Sequence, residues 1–281
     1  MAAWSERLRR EGVTIGFVPT MGALHDGHRS LVRAARLRCD ALVVSIFVNP
    51  AQFSQTEDLS TYPRPIARDR ALCREEGVDV CFEPTARGMY PEDFQTIVTV
   101  PALARRWEGE ARPHHFAGVA TVVTKLFGIV QPHLALFGQK DYQQAAVIRK
   151  LVDDLNLGVA IHVRPTVRER DGLAMSSRNV YLSADERRIA PLLSQALQAG
   201  RQILDDGISN VSVIERIMRQ TIEQAPTIHV EYLAVCDQDS LEPVSVVAGH
   251  AVLLGAVRIG SIRLIDNLLV KLPGGRSRIR H

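Results

Sequence analysis

Residues Ile15 to Pro50, IGFVPTMGALHDGHRSLVRAARLRCDALVVSIFVNP, spell out one strand–turn–helix–strand unit. Ile15 to Val18 is a short apolar run ended by Pro19, the pattern of a parallel strand buried on both faces. Gly22 marks the turn, and Asp26 with Gly27 marks a helix start. Leu31, Val32, Ala34, Ala35 and Leu37 recur at helical spacing, and Ala41 to Val48 is a second buried strand. At the joint sit His25 and His28, three residues apart and so on one helical face. A helix N-terminus behind a strand offers free N–H groups and a positive dipole end to an anion. Two imidazoles there add donors that can switch charge near neutral pH. The combination points to phosphate handling.

The rest of the chain extends this pattern. Residues 1–12 form a short leading helix, and Asn49-Pro50-Ala51-Gln52-Phe53 is a loop at the carboxyl end of the second strand, where open α/β sheets bind ligands. A helix over Ile66 to Glu76 is stopped by Gly77, a strand follows over Val78 to Phe82, and Thr96 to Val100 is a further β-prone run. Phe116 to Val130 is a long apolar helix, Leu134 to Phe137 a strand, Tyr142 to Leu155 a helix, and Val159 to Val163 a strand closed by Pro165. Alternating strands and helices imply an α/β fold with a doubly wound, Rossmann-like parallel sheet over residues 1–167.

The pattern changes after Val167. A polar link, Arg168-Glu-Arg-Asp-Gly172, leads to Met175-Ser-Ser-Arg178. Ser183 and Glu186 form a capping box that opens one long helix to about Leu204, with a shorter helix over Val213 to Gln224. Three β-prone runs close the chain, His229 to Val235, Ala251 to Ile259 and Ile262 to Val270. Residues 168–281 therefore read as a smaller C-terminal α+β domain with an antiparallel sheet.

Composition narrows the class. The 281 residues carry 46% apolar and 23% charged side chains, ordinary for a globular enzyme, and a formal charge of +3, too small to argue for nucleic acid. The basic end from Lys271 to His281 reads as a solvated, frayed tail. Cys39, Cys73, Cys81 and Cys236 show no CxxC pair, which fits buried reduced thiols and a cytoplasmic protein. No signal peptide and no apolar run long enough for a membrane span stand out.

Taken singly, the motifs are open to several readings. His25-x-x-His28 suits a phosphate clamp, half of a zinc site completed by His114-His115, or a hydrogen-bonded structural pair. Zinc is disfavoured because no Cys, Asp or Glu sits at ligand spacing, and the flanking Gly22 and Gly27 favour phosphate. Gly138-Gln139-Lys140-Asp141 follows a later strand, and it is either a phosphate-binding turn or a surface turn with a capping Asp. Met175-Ser176-Ser177-Arg178 offers two hydroxyls and a guanidinium to a polyphosphate. Neither GxGxxG nor a Walker loop occurs. The set together describes a nucleotidyl-transfer site assembled from strand ends.

Four segments carry a resemblance. PTMGALHDGH (Pro19 to His28), SIFVNPAQF (Ser45 to Phe53), FGQKDYQQ (Phe137 to Gln144) and LAMSSRNVYLS (Leu173 to Ser183), with Arg263-Leu-Ile-Asp-Asn267 at the end, resemble the pantothenate synthetases. HDGH is similar to the HIGH signature of the wider nucleotidyltransferase superfamily, and MSSR to its KMSKS-like second loop.

The resemblance implies a ligase in which ATP and pantoate form pantoyl adenylate, and β-alanine then displaces AMP to give pantothenate. It implies that Met21, Gly22, Ala23, Leu24, His25, Asp26, Gly27 and His28 line ATP, with His28, His25 and Lys140 catalytic and His28 the proton donor. Gly138, Gln139, Lys140 and Asp141 hold ATP in that reading. Val167 contacts the adenine end, and Met175, Ser176, Ser177 and Arg178 close over the phosphates. Gln52, Gln144 and Asn49 bind pantoate, Gln52 also binds β-alanine, and a homodimer is expected. Departures include a later start than is usual in the family, implying a truncated edge strand and helix, and Ala117 where Arg is common. Asp69 follows Ala67-Arg68 rather than further acids, so Mg²⁺ is expected to be held mainly by ATP, with Asp69 the one candidate protein ligand. The alternatives are a HIGH-type adenylyltransferase for another small acid, and an inactive nucleotide- or RNA-binding module.

Overall fold

The structure, a computed structural model, describes residues 1–54 and 59–272, so the basic tail beyond Leu272 lies outside the described residues. The chain divides into two compact units, Met1–Thr166 and Val167–His281.

In the first unit, α1 (Ala2–Arg10) leads into β1 (Ile15–Thr20), α2 (Asp26–Arg36), β2 (Ala41–Ile46), α3 (Ile66–Glu75) and β3 (Val80–Phe82). Short helices α4 (Ala86–Met89), α5 (Pro101–Ala104) and α6 (Glu108–Ala111) precede the long α7 (His115–Val130). The unit closes with β4 (Leu134–Gly138), α8 (Tyr142–Asp154) and β5 (Ala160–Arg164). The five strands pair in the order β3-β2-β1-β4-β5, each with its neighbours in parallel. Order reverses between β1 and β4, so the crevice at their carboxyl ends is the switch point where such sheets bind ligands.

Alternation along β1 explains why both faces are covered. Ile15 and Phe17 join α7 and α8 in one apolar cluster, while Val18 joins α2 and α3 in another. The outer face of α2 is fastened by ion pairs, Arg29 and Arg33 to Glu76 at 2.7 Å each and Arg36 to Asp79 at 2.6 Å. Helix α7 ends where Gln131 takes a left-handed conformation (φ 48°) before Pro132.

The second unit holds α9 (Ala184–Ile189), α10 (Leu192–Asp205) and α11 (Val211–Ile222), then β6 (Ile228–Asp237), β7 (His250–Ile259) and β8 (Ile262–Lys271). Its strands pair antiparallel in the order β6-β7-β8, and Gly260 (φ 56°) opens the two-residue turn of the β7–β8 hairpin. Leu193, Leu197, Ile214 and Met218 pack against Leu233, Val235, Leu253 and Val257 to make its core.

Two expectations from the sequence are corrected. The single helix from Ser183 to Leu204 is two, because Pro191 falls between them and cannot continue the first. Thr96 to Val100 is no strand; Val98 N–H is taken by the Thr121 hydroxyl on α7 at 3.0 Å instead of a sheet neighbour. No described helix is long and apolar enough to cross a membrane.

Candidate active site

Strands β1 and β4 lead into the two candidate segments, Met21 to His28 after β1 and Gly138 to Asp141 at the end of β4. After β1, the Thr20 hydroxyl donates to Ser45 O at 2.7 Å and accepts from Gly22 N–H at 3.1 Å, tying the turn to β2. Helix α2 is then capped by its own histidines. Gly27 N–H donates to His25 Nδ1 at 3.1 Å, and His25 N–H donates, at a longer 3.4 Å, to His28 Nδ1. This is the reciprocal arrangement of a capping box, with imidazoles in place of the usual hydroxyl and carboxylate.

The cap fixes a tautomer. A ring nitrogen that accepts a backbone N–H carries no proton, so each neutral imidazole keeps its hydrogen on Nε2. The rings lie 4.2 Å apart, centroid to centroid. The helix start thus presents two Nε2–H donors beside the free N–H groups of its first turn.

The charge state differs from the sequence expectation. Burial lowers the His25 pKa to about 4, with the Lys140 ammonium as the next cause. Burial also lowers that of His28 to about 3, with the neighbouring His25 adding to it. The expected switching near neutral pH is therefore corrected: both rings are neutral there. The positive charge comes from Lys140, whose Nζ lies 3.4 Å from Asp141 Oδ1, and whose field reaches both histidines. The strand order thus brings together His25, His28, Lys140 and Asp141, which are far apart in sequence.

At the carboxyl end of β2, Pro50–Gln52 forms one turn of 3₁₀ helix capped by Asn49, whose Oδ1 accepts from Ala51 N–H at 3.3 Å. Asn49 is 1% exposed and spends both ends of its amide on protein. Its Oδ1 also accepts from the Tyr90 hydroxyl at 2.7 Å, and its Nδ2 donates to Gln52 Oε1 at 3.2 Å and to Gly118 O at 3.1 Å. Desolvation pushes the Tyr90 hydroxyl up to about 12, so it stays a donor. Gln52 Nε2 lies 2.9 Å from Met21 Sδ, which links this turn to the one after β1.

The turn rests on the first turns of α7. A Cβ at Gly118 would meet Ala51 O at 2.3 Å, and Arg112 and His115 both reach Gln52 O, at 3.2 and 3.1 Å. These supporting residues escaped sequence reasoning; the RPHHFAGV run that contains them was the available signal. The adjacent glutamines of α8 divide their tasks. Gln143 is buried and bonds Glu108 N–H, Leu103 O and Arg106 O, whereas Gln144 keeps partial exposure in the helix's first turn.

Asp69, expected as a metal ligand, is fully buried and accepts from Ala23 N–H and Leu24 N–H at 2.8 Å each. Among the described residues no group of three or more His, Cys, Asp or Glu side chains is arranged to hold a metal ion.

The second unit carries its own polar segment. Val167 O accepts from Met175 N–H at 3.0 Å, which closes the loop between them. Arg168 anchors that loop, pairing with the buried Asp266 through both oxygens at 2.5 and 3.0 Å and donating to Gly172 O and Ser194 Oγ. Ser176 then caps a short 3₁₀ helix, Ser177–Tyr181, its hydroxyl accepting from Arg178 N–H at 3.2 Å.

The profile of the pantoate–β-alanine ligase family matches residues 1–269. The chain belongs to that family. It is 52% identical over 272 residues to the pantothenate synthetase of Heliobacterium modesticaldum, covering 97% of both chains. Identity to the Syntrophotalea carbinolica pantothenate synthetase is 52% over 259 residues, 92% of each. The crystal structure of pantothenate synthetase from Thermus thermophilus superposes with a TM-score of 0.90 at 48% identity, over 94% of this chain and 96% of that one. The pantoate–β-alanine ligase of Francisella tularensis, solved with β-γ ATP and β-alanine, superposes with a TM-score of 0.78 at 34% identity, over 95% of both chains. Family and fold agree: these ligases share the parallel sheet and the smaller antiparallel domain.

Proposed function

We propose that this pantoate–β-alanine ligase uses the two-histidine cap of α2 and Lys140 as a preorganised cradle for ATP, and Gln52 with Gln144 as its pantoate pocket. The observation that carries the proposal is the meeting of neutral His25 and His28 with Lys140 at the sheet's switch point. In the first step a pantoate carboxylate oxygen attacks the α-phosphorus of ATP, the bond to the bridging oxygen breaks, and pyrophosphate leaves. The β-alanine amine then attacks the acyl carbon of the pantoyl adenylate, AMP leaves, and the amine's proton passes to solvent or base.

Negative charge grows on the α-phosphate and on the departing pyrophosphate, so fixed donors do most of the work. The Nε2–H groups of His25 and His28, the N–H groups of α2's first turn and the Lys140 ammonium are those donors. No side-chain nucleophile is required. A neutral His28 serves here as a hydrogen-bond donor, and it becomes a proton donor only once an anionic phosphate beside it raises its proton affinity.

Gln52, braced by Asn49, holds pantoate and touches β-alanine, with Gln144 as second pantoate contact. Met21 to Leu24 with Asp26 and Gly27, together with Gly138 to Asp141, contact ATP. Met175, Ser176, Ser177 and Arg178 are phosphate contacts and Val167 an adenine contact on family resemblance. Mg²⁺ arrives with ATP, since both Asp69 oxygens already serve backbone N–H groups. A homodimeric, cytoplasmic enzyme completes the proposal on family resemblance, and light scattering of the purified chain tests the dimer.

ATP–pyrophosphate exchange without amine tests the whole reading. Exchange that depends on pantoate supports it. Exchange with another hydroxy acid only, or with no acid, overturns it.

A further inference from the structure

The turn between β1 and α2 has to deliver His25 to the helix cap, and it does so through two successive left-handed residues, Gly22 (φ 84°) and Ala23 (φ 49°). Glycine adopts that conformation freely, but an alanine does not, because its Cβ crowds the following carbonyl. Something must hold Ala23 there. The N–H groups of Ala23 and Leu24 converge, 2.8 Å each, on the Oδ2 and Oδ1 atoms of Asp69. Converging N–H groups of this kind ordinarily form a nest for an external anion; here the fold fills it with its own carboxylate.

Three further observations fix the role of that carboxylate. Asp69 lies in the first turn of α3. It is fully buried, although Mg²⁺ ordinarily keeps several waters when it binds a protein carboxylate. It is also seated directly against the turn, since a Cβ on Gly22 would come within 3.0 Å of Asp69 Oδ2 and 2.9 Å of Ile46 Cγ2. Each oxygen is thus engaged by a backbone N–H of the turn.

We infer that Asp69 is a positioning residue of the adenylation step. It locks the Gly22–Leu24 turn from the neighbouring helix and so sets where His25 and His28 stand. It acts through the backbone and touches neither reactant nor metal. This inference rests on the reading of the histidine cap as the ATP cradle. An amide at this position cannot replace the carboxylate, because its NH₂ group would face one of the two N–H donors.

The test is Asp69→Asn in pantoate-dependent ATP–pyrophosphate exchange, with ATP, pantoate and Mg²⁺ each varied. The expected result is a kcat lower by about 100-fold, as for a catalytic group displaced by an ångström. The KM for pantoate and the half-saturating Mg²⁺ concentration should stay within about twofold of wild type, on the same reasoning. In the folded variant the His25 and His28 imidazole resonances should titrate closer to the ordinary 6.5 than in wild type. A raised Mg²⁺ requirement, or activity restored by excess Mg²⁺, would make Asp69 a metal ligand and overturn the inference. Wild-type turnover in Asp69→Asn would overturn it too. Should that variant not fold, Asp69→Glu decides, because it keeps both carboxylate oxygens but carries them one methylene out of register with the two N–H groups. The same fall in kcat with unchanged Mg²⁺ dependence supports the inference, and wild-type kinetics sink it. Absence of exchange in the wild-type enzyme would count against the ATP cradle itself, a separate outcome.

Discussion

The two polar segments proposed as ATP contacts, one in each unit, are built by opposite means. The β1–α2 junction is fixed by a buried carboxylate from α3, by the Thr20 hydroxyl at the end of β1, and by two imidazoles that cap the helix with their own ring nitrogens. The Met175–Arg178 segment is capped by the Ser176 hydroxyl at the start of a five-residue 3₁₀ helix and tied to Ala174 O by the Asn179 amide, while Arg168–Asp266 lies at the base of the loop. The first is a finished mould that presents neutral donors. The second is a short capped turn that carries its cation on a long side chain. A site of this kind divides precision from adjustability, and the division predicts which substitutions damage chemistry and which damage structure.

The largest effect is expected at the finished mould. Lys140→Ala or His28→Ala should cut exchange by about 100- to 1,000-fold, the usual cost of a preorganised donor, with circular dichroism unchanged. Retained turnover in either variant would erase the contrast. Arg168→Met should act on structure instead, leaving Asp266 buried and unpaired, and should destabilise the second unit by roughly 3 kcal/mol. Both tryptophans, Trp4 and Trp107, lie in the first unit, so tryptophan fluorescence should keep its denaturant midpoint while circular dichroism acquires an earlier transition. A single shifted transition by both probes would show that the two units unfold together.

A smaller effect concerns acid. The histidine pKa values are depressed in the folded state, to about 4 for His25 and about 3 for His28, so the unfolded chain binds more protons below pH 6.5. Their contribution to stability is complete above that pH and is lost as pH falls from about 6.5 toward 3. His28→Gln should therefore lose less stability than wild type between pH 7 and 5, read from denaturant midpoints at the two pH values. An equal or greater loss would mean that His28 is protonated in the native enzyme. The smallest change is Ser176→Ala, expected to cost about 1 kcal/mol of local order and to raise the KM for ATP modestly, with kcat little altered. A kcat loss matching that of Lys140→Ala would place Ser176 in the mould after all.

Much of the first unit was legible because its signals are local. Apolar runs ended by proline or glycine marked β1, β2 and β4, and their order along the chain made a parallel sheet whose strand ends carry the motifs. Pro191 was visible but outweighed by the capping box before it, and Thr96 to Val100 had strand composition without a strand to pair with. The charge state of the histidines was hidden, since it depends on burial and on Lys140, more than a hundred residues away. The backbone partners of Asp69 were hidden for the same reason. A carboxylate in a sequence shows its charge, but not whether its partners are backbone N–H groups on another element. Asn49 likewise reads as a ligand group, whereas Tyr90, Gln52 and Gly118 already occupy its amide.

The contact at Gly118 has a consequence for how this enzyme tolerates change. The floor of the proposed acid pocket is main chain pressed on main chain, Gly118 against Ala51 and Gln52. Side chains that brace this floor are Asn49, Arg112 and His115, and the contact itself needs no others. Other neighbouring positions on α7, Ala117 among them, are thus released to vary without shifting Gln52, and drift there is expected to be nearly silent. Position 118 is the exception, where one added methyl group would lift the floor itself.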